Sequence, residues 1–233
     1  MSRTVFITGA NKGIGFATAK EMLKNNFKVI VGARDESRGK NAVNELSKFG
    51  EVFLQIIDVS DLKSIDAAAE NILKNFGDLE ILVNNAGISG EFFKTAWEFS
   101  AQELIDVYMV NFIGAFEITK KLLSTLEKNH GRIINITMPV KAIKTFHPFA
   151  YQASKAPLNV LIDNFGFEIA QKNMTTETEV NKSDESINST LQEAFDNEDW
   201  MMYSILIDQI RGVNKNLKMA GQILTPAFTN DQE

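Results

Sequence analysis

Two side chains four residues apart, Tyr151 and Lys155, have the types and the spacing for proton transfer. On a helix that spacing puts both on one face, where a phenol and an ammonium converge on a single atom. A free phenol has a pKa of about 10, and a neighbouring ammonium favours the phenolate and draws the group toward working pH. Such a pair exchanges a proton with a carbonyl or an alcohol. Tyrosine and lysine also fall at this spacing by chance on many helices, so the pair needs a second site beside it.

Thr8-Gly-Ala-Asn-Lys-Gly-Ile-Gly15 supplies one, set between the apolar run 4–7 and a helical pattern that begins at Phe16. Gly9, Gly13 and Gly15 permit a tight strand-to-helix turn, close approach of backbone to a ligand, and tight packing of helix on sheet. A helix opening there turns unpaired N–H groups and the positive end of its dipole toward a pyrophosphate. Asn11, Lys12 and Ile14 complete the loop. At the end of the second apolar run, Gly32-Ala-Arg-Asp35 places charge where the adenosine ribose of a dinucleotide would lie. Arg34, with Lys12 as a second cation, suits the extra phosphate of NADP, whereas Asp35 would accept from the ribose hydroxyls of NAD and is the lesser alternative. Asp58 and Val59 follow the third run, where a carboxylate could meet an adenine amino group and an aliphatic side chain flank its ring. Asn84-Asn-Ala-Gly87 closes the fourth; Asn85, Ala86 and Gly87 either admit a cofactor closely or stabilise the turn.

The elements that must hold these residues alternate along the first two thirds of the chain. Short apolar runs at 4–8, 28–33, 52–57, 81–84 and 132–137 read as strands buried on both faces. Amphipathic stretches at 16–26, 36–49, 63–76, 101–128 and 150–172 read as helices, the fourth opened by the capping-box pair Ser100 and Glu103. Strand and helix in alternation predict an α/β fold, a doubly wound parallel sheet in a single domain over 1–233, with the ligand crevice at the carboxyl ends of the strands. Beyond Lys172 the character changes. Residues 175–199 are polar and acidic with no clear buried strand, although Thr175, Thr176 and Thr178 read as strand remnants by their β-branching. Helical spacing returns over 200–217, and 222–224 suits a short last strand.

The 233 residues, 44% hydrophobic, suffice for one substantial core. A net charge of -6 gives no basic footprint for nucleic acid or for an anionic membrane. The absence of cysteine excludes disulfides, thiolate metal sites and a cysteine nucleophile, and nothing points to a metal. The first strand follows so soon after Met1 that no signal peptide is expected, and no apolar run reaches membrane-spanning length; the expectation is a cytoplasmic protein acting on a small molecule.

Taken together, these motifs resemble those of the short-chain dehydrogenase/reductase family. Thr8-Gly-x-x-x-Gly-Ile-Gly15 matches its cofactor loop, Asp58-Val59 its adenine contact, Asn84-Asn-Ala-Gly87 its fourth-strand motif and Tyr151-x-x-x-Lys155 its catalytic pair, in the family's order and separations. Asn111, within Val110-Asn-Phe-Ile-Gly114, looks like the helix asparagine of that active site. The wording around Asn11 and Arg34 is similar to the NADP-dependent carbonyl-reductase branch, and the likeness covers about 3–172. The resemblance implies a Rossmann-like sheet and hydride transfer between NADP(H) and a carbonyl or alcohol carbon. Tyr151 would be the general acid/base, Lys155 would hold the nicotinamide ribose and lower the tyrosine's pKa, and Asn111 would support the proton relay through water. It also implies a homo-oligomer, dimer or tetramer, paired through the long helices. Two positions depart from the pattern. The family's catalytic serine falls on Met138, with Thr137 beside it and His147 as another possible donor, and no Pro-Gly turn follows the catalytic helix, so that 173–233 reads as a divergent lid. The alternative is therefore a catalytically impaired nucleotide-binding sensor or interaction protein of the same fold.

Overall fold

In the computed structural model, which describes residues 3–137, 149–170 and 175–177, the apolar run at the start of the chain forms β1, Thr4–Ile7, with every residue buried. Its side chains alternate between the two faces of the sheet, as the twofold period of a strand requires. Phe6 joins Ile65, Ile72, Leu82, Ile118 and Leu122 on one side, while Val5 and Ile7 join Met22, Leu23, Val29, Val31, Leu46 and Val83 on the other. Two cores thus flank one sheet, the arrangement predicted from short runs that are apolar throughout.

The chain continues through α1, Gly13–Lys24; β2, Lys28–Ala33; α2, Glu36–Leu46; β3, Val52–Ile56; α3, Leu62–Asn75; and β4, Leu79–Asn84. After a short 3-10 turn at Ala96–Glu98 come α4, Ala101–Tyr108; a π-helical turn, Met109–Ile113; α5, Gly114–Lys128; β5, Arg132–Asn135; α6, Phe149–Ala170; and β6, Thr175–Glu177. Among the described residues six parallel strands lie in the order β3-β2-β1-β4-β5-β6. The order reverses between β1 and β4, so the crevice at their carboxyl ends is the topological switch point where such sheets take ligands. Among the described residues no helix is long and apolar enough to cross a membrane.

Three expectations need correction. The first helix begins at Gly13 rather than Phe16, which brings the last two loop glycines inside it; it ends at Lys24, before Asn26 takes a left-handed φ of 64°. The stretch 101–128 is not one helix but two, separated by the π turn. The third strand is an edge of this part of the sheet rather than buried throughout, with Ile56 exposed. In the polar stretch after residue 172, the strand character read at Thr175 and Thr176 is borne out: they pair with Arg132 and Ile133, and β6 extends the sheet beyond β5. Thr178, the predicted helix at 200–217 and the predicted strand at 222–224 lie outside the described residues.

Candidate active site

The dinucleotide loop is shaped by backbone. Gly9 has a φ of 67° and Gly13 one of 57°, conformations that L side chains rarely adopt. A Cβ at Gly9 would also come within 2.9 Å of the Ala86 Cα, so the loop lies directly on the turn that ends β4. At Gly15 a Cβ would collide with the Asn85 amide and lie 2.8 Å from the Gly9 carbonyl oxygen. These contacts explain both tightly packed glycines without appeal to a ligand. The ligand argument comes from the helix end they create. The capping carboxylates or hydroxyls of Asp35, Asp61 and Ser100 satisfy the first turns of α2, α3 and α4. At α1 the cap position is Lys12, in extended conformation, and its side chain makes no bond to the first turn. Its N–H groups, with no acidic residue in that turn, fit an anionic pyrophosphate.

Thr8 and Asn85 fasten this cradle. The Thr8 hydroxyl accepts from the backbone N–H groups of Asn85 at 3.0 Å and Ala86 at 3.1 Å, and the Asn85 amide donates to the carbonyls of Thr8 at 2.9 Å and Gly9 at 3.2 Å. Asn84 has a different task, donating to Thr119 Oγ1 and Asn135 Oδ1, both at 2.9 Å, to join β4, β5 and α5. The two adjacent amides of the motif are thus divided between sheet and loop.

On the β2 and β3 side, the mostly exposed Arg34 lies 3.7 Å from Asp58 Oδ2. Asp58 Oδ1 accepts from the N–H and hydroxyl of Ser60 at 2.9 and 2.6 Å, which fixes the carboxylate. Asp35 accepts from the N–H of Arg38 at 2.8 Å as the cap of α2, so its carboxylate already has a structural partner. Val59 is buried, and a Cβ at Gly114 would collide with its carbonyl oxygen; Gly114 therefore lets α5 close on the end of β3. Lys12 is exposed. Asn11 and Ile14 are partly buried in the loop and the first turn of α1.

Tyr151, Lys155 and Asn111 come together at the ends of β4 and β5. The π turn places the fully buried Asn111 so that Oδ1 accepts from the Ile88 N–H while Nδ2 donates to the Ile88 carbonyl and to Ser154 Oγ, all at 2.8 Å. Ser154 in turn donates to the Tyr151 carbonyl at 2.8 Å. One carboxamide therefore joins the loop after Gly87, the π turn and the first turns of α6. Lys155 is almost wholly buried and donates to the Ile136 carbonyl at 2.8 Å; its Nζ lies 5.8 Å from the centre of the Tyr151 ring. Burial disfavours the ammonium and pulls its pKa down from 10.5 to about 8. A Cβ at Gly87 would stand 3.3 Å from Asn111 Oδ1 and 3.6 Å from Lys155 Nζ, so the fourth-strand motif ends against both groups.

Thr137 Oγ1 donates to the Lys155 carbonyl at 3.3 Å and is buried, so this hydroxyl braces α6. Met138 and His147 lie outside the described residues. Sequence reasoning missed Ile88, Ser154 and Ile136, which hold the site through backbone or a single hydroxyl. Ser154 carried a signal, since it is the one hydroxyl between Tyr151 and Lys155.

Comparison with known proteins gives the chain's relatives and the structures that share its fold. The family model described as short chain dehydrogenase matches residues 3–181, past the point where the motifs end and into the region of β6. Over 151 residues the chain is 36% identical to carbonyl reductase (NADPH) 1 of Macaca fascicularis, covering 63% of this chain and 53% of that protein. It spans about half the length of the mammalian carbonyl reductases it matches. Among solved structures, an alcohol dehydrogenase from the archaeon Thermococcus sibiricus, complexed with 5-hydroxy-NADP, superposes with a TM-score of 0.70 at 28% identity, covering 76% of this chain and 75% of that one. The 3-ketoacyl-(acyl-carrier-protein) reductase of Brucella melitensis, complexed with NADH, gives 0.67 at 27% identity, covering 74% and 72%.

Proposed function

The chain belongs to the short-chain dehydrogenase family, and from that premise we propose that it transfers a hydride between NADP(H) and a small carbonyl or alcohol substrate. The observation that carries this reading is the convergence of Lys155 Nζ and Asn111 Oδ1 on Gly87, next to a glycine loop whose helix end has no cap of its own. Gly9, Asn11, Gly13, Ile14 and Gly15 would hold the pyrophosphate, and Asn85, Ala86 and Gly87 would let it approach. Asp58 and Val59 would receive the adenine, while Arg34 and Lys12 would meet the 2′-phosphate. NADP is favoured over NAD because Arg34 is exposed and its pairing with Asp58 is worth little in water, while Asp35 is engaged as a helix cap. The dinucleotide, when bound, supplies or accepts the hydride.

In the reducing direction Tyr151 gives its phenolic proton to the carbonyl oxygen as the carbon gains a hydride; in oxidation the phenolate takes the alcohol proton. Lys155, held by the Ile136 carbonyl, would orient the nicotinamide ribose and favour the phenolate of Tyr151. Asn111 keeps the Ile88 loop and the start of α6 in fixed relation.

A second reading, cofactor binding with little turnover, is favoured by Thr137. Its hydroxyl is engaged with the Lys155 carbonyl, and the adjacent family serine position is occupied by Met138, which has no proton to donate. NADPH oxidation across a panel of aldehydes and ketones separates the two. The native chain should turn over, and Tyr151→Phe should lose about 10²- to 10⁴-fold in kcat with NADPH binding retained. Equal rates in the two proteins would sink the tyrosine mechanism. Tight NADPH binding without turnover, with activity gained by Met138→Ser, would establish the second reading in place of the first.

A further inference from the structure

Pro157 lies inside α6, in the turn that follows Lys155. A proline within a helix has no N–H to give, and its ring presses against the carbonyl four residues earlier, so that carbonyl loses its helical donor and is pushed outward. Here the carbonyl is that of Ala153, midway between Tyr151 and Lys155. It has a partner from another element: the hydroxyl of Tyr108, the last residue of α4, donates to it at 2.7 Å. The next residue, Ser154, is bonded by Asn111, three positions after Tyr108. Consecutive residues of α6 are therefore held from one end of α4 and its π turn, one through a backbone carbonyl and the other through a side chain.

We propose that Tyr108 is a positioning residue for Tyr151 and Lys155, its hydroxyl taking the place of the backbone N–H that Pro157 removes and so holding the turn of α6 between them against α4. The proposal rests on the reading of Tyr151 and Lys155 as the proton-transfer pair, and it goes beyond that reading in assigning a task to two residues the chemistry does not touch. Without the tyrosine hydroxyl, a carbonyl in the middle of the pair loses the donor that reaches it from α4, and the turn is free to tilt at the proline.

The test is a double-mutant cycle with Tyr108→Phe, Pro157→Ala and the two combined. Pro157→Ala returns an N–H to residue 157, and with it the ordinary helical donor for Ala153. Three quantities are read: kcat and KM for NADPH-dependent carbonyl reduction, the phenolate absorbance titration of Tyr151 in the cofactor-free protein with the Tyr151→Phe form of each variant as its blank, and the urea midpoint. In the native background Tyr108→Phe should lower kcat about tenfold, as expected for one lost hydrogen bond, with the KM for NADPH unchanged. It should also shift the Tyr151 midpoint, as the fixed geometry between the phenol and Lys155 Nζ is lost. In the Pro157→Ala background the same substitution should change neither. An equal effect in both backgrounds, or a lowered urea midpoint with kcat and titration unmoved, would overturn the proposal. If the native chain turns over no carbonyl, the functional reading fails, and the Tyr151 titration in the four proteins still decides the positioning role.

Discussion

On the β1 to β3 side of the crevice the cradle is made of backbone: two left-handed glycines, an uncapped helix end and a loop lying against Ala86. On the β4 to β6 side it is made of side chains that reach across elements, with Asn111 joining Ile88 to Ser154 and Lys155 reaching the Ile136 carbonyl. The first kind of site is local in sequence and needs small residues at the right places. The second is assembled from four separate segments and depends on each one's register. Loss of a single donor therefore acts differently on the two sides, weakening binding on the first and spoiling alignment on the second.

The largest effect expected from probing this contrast lies in the buried ammonium. Lys155 releases its proton at about 8 in the folded chain and near 10.5 when unfolded. Between those values the unfolded state holds more protons, so folding stability rises with pH across that window and the ammonium's penalty is fully present below it. From pH 7 to 10.5 the native chain should gain about 3 kcal/mol relative to Lys155→Met, read by urea unfolding at a series of pH values. Parallel curves for the two proteins would mean that the ammonium is not desolvated, and the contrast between a dry nicotinamide side and a wet adenosine side would go with it.

A smaller effect is expected from Arg34 on the exposed side. Arg34→Ala should weaken NADPH binding about 10- to 100-fold, the range for a hydrogen bond to a charged group. NADH affinity and kcat at saturating NADPH should stay as they are. Calorimetric titration with both cofactors checks this. A fall in kcat at saturation would show that the adenosine side also aligns the reaction, which would erase the distinction between the two halves.

The same contrast explains what was legible beforehand. The glycine loop could be read because strand, loop and helix end follow one another within Thr4 to Gly15, and the spacing itself is the constraint. Tyr151 and Lys155 could be read for the same reason, since four residues on a helix define a face. The π turn could not, because one extra residue in the turn leaves an apolar pattern at 101–128 that still suits a continuous helix. Its position around Asn111 is what aims the carboxamide at Ile88 and Ser154. β6 was only partly legible, because its three residues, Thr175–Glu177, offer β-branching at Thr175 and Thr176 but none of the apolar character that marks the other strands. The Thr137 hydroxyl lay in sight, but its engagement with the Lys155 carbonyl is a contact across eighteen positions that no local pattern records.

The smallest effect concerns Asp35, whose two readings the structure brings into direct competition. As a helix cap its carboxylate accepts from the Arg38 N–H at 2.8 Å, and Asp35→Ala should cost about 1 kcal/mol of stability. As a ribose acceptor it would instead set the preference for NADH. Asp35→Ser separates the roles, because serine caps a helix nearly as well as aspartate while its oxygen is uncharged and one bond closer to the backbone. Stability lost in the alanine variant and regained in the serine variant, with NADH affinity equal in all three proteins, is the expected outcome by thermal unfolding and titration. NADH affinity that falls in the serine variant as far as in the alanine one would make the carboxylate a ribose ligand. The adenosine side would then depend on a charged side chain for its selectivity in both directions, with Arg34 and Asp35 opposing each other one residue apart.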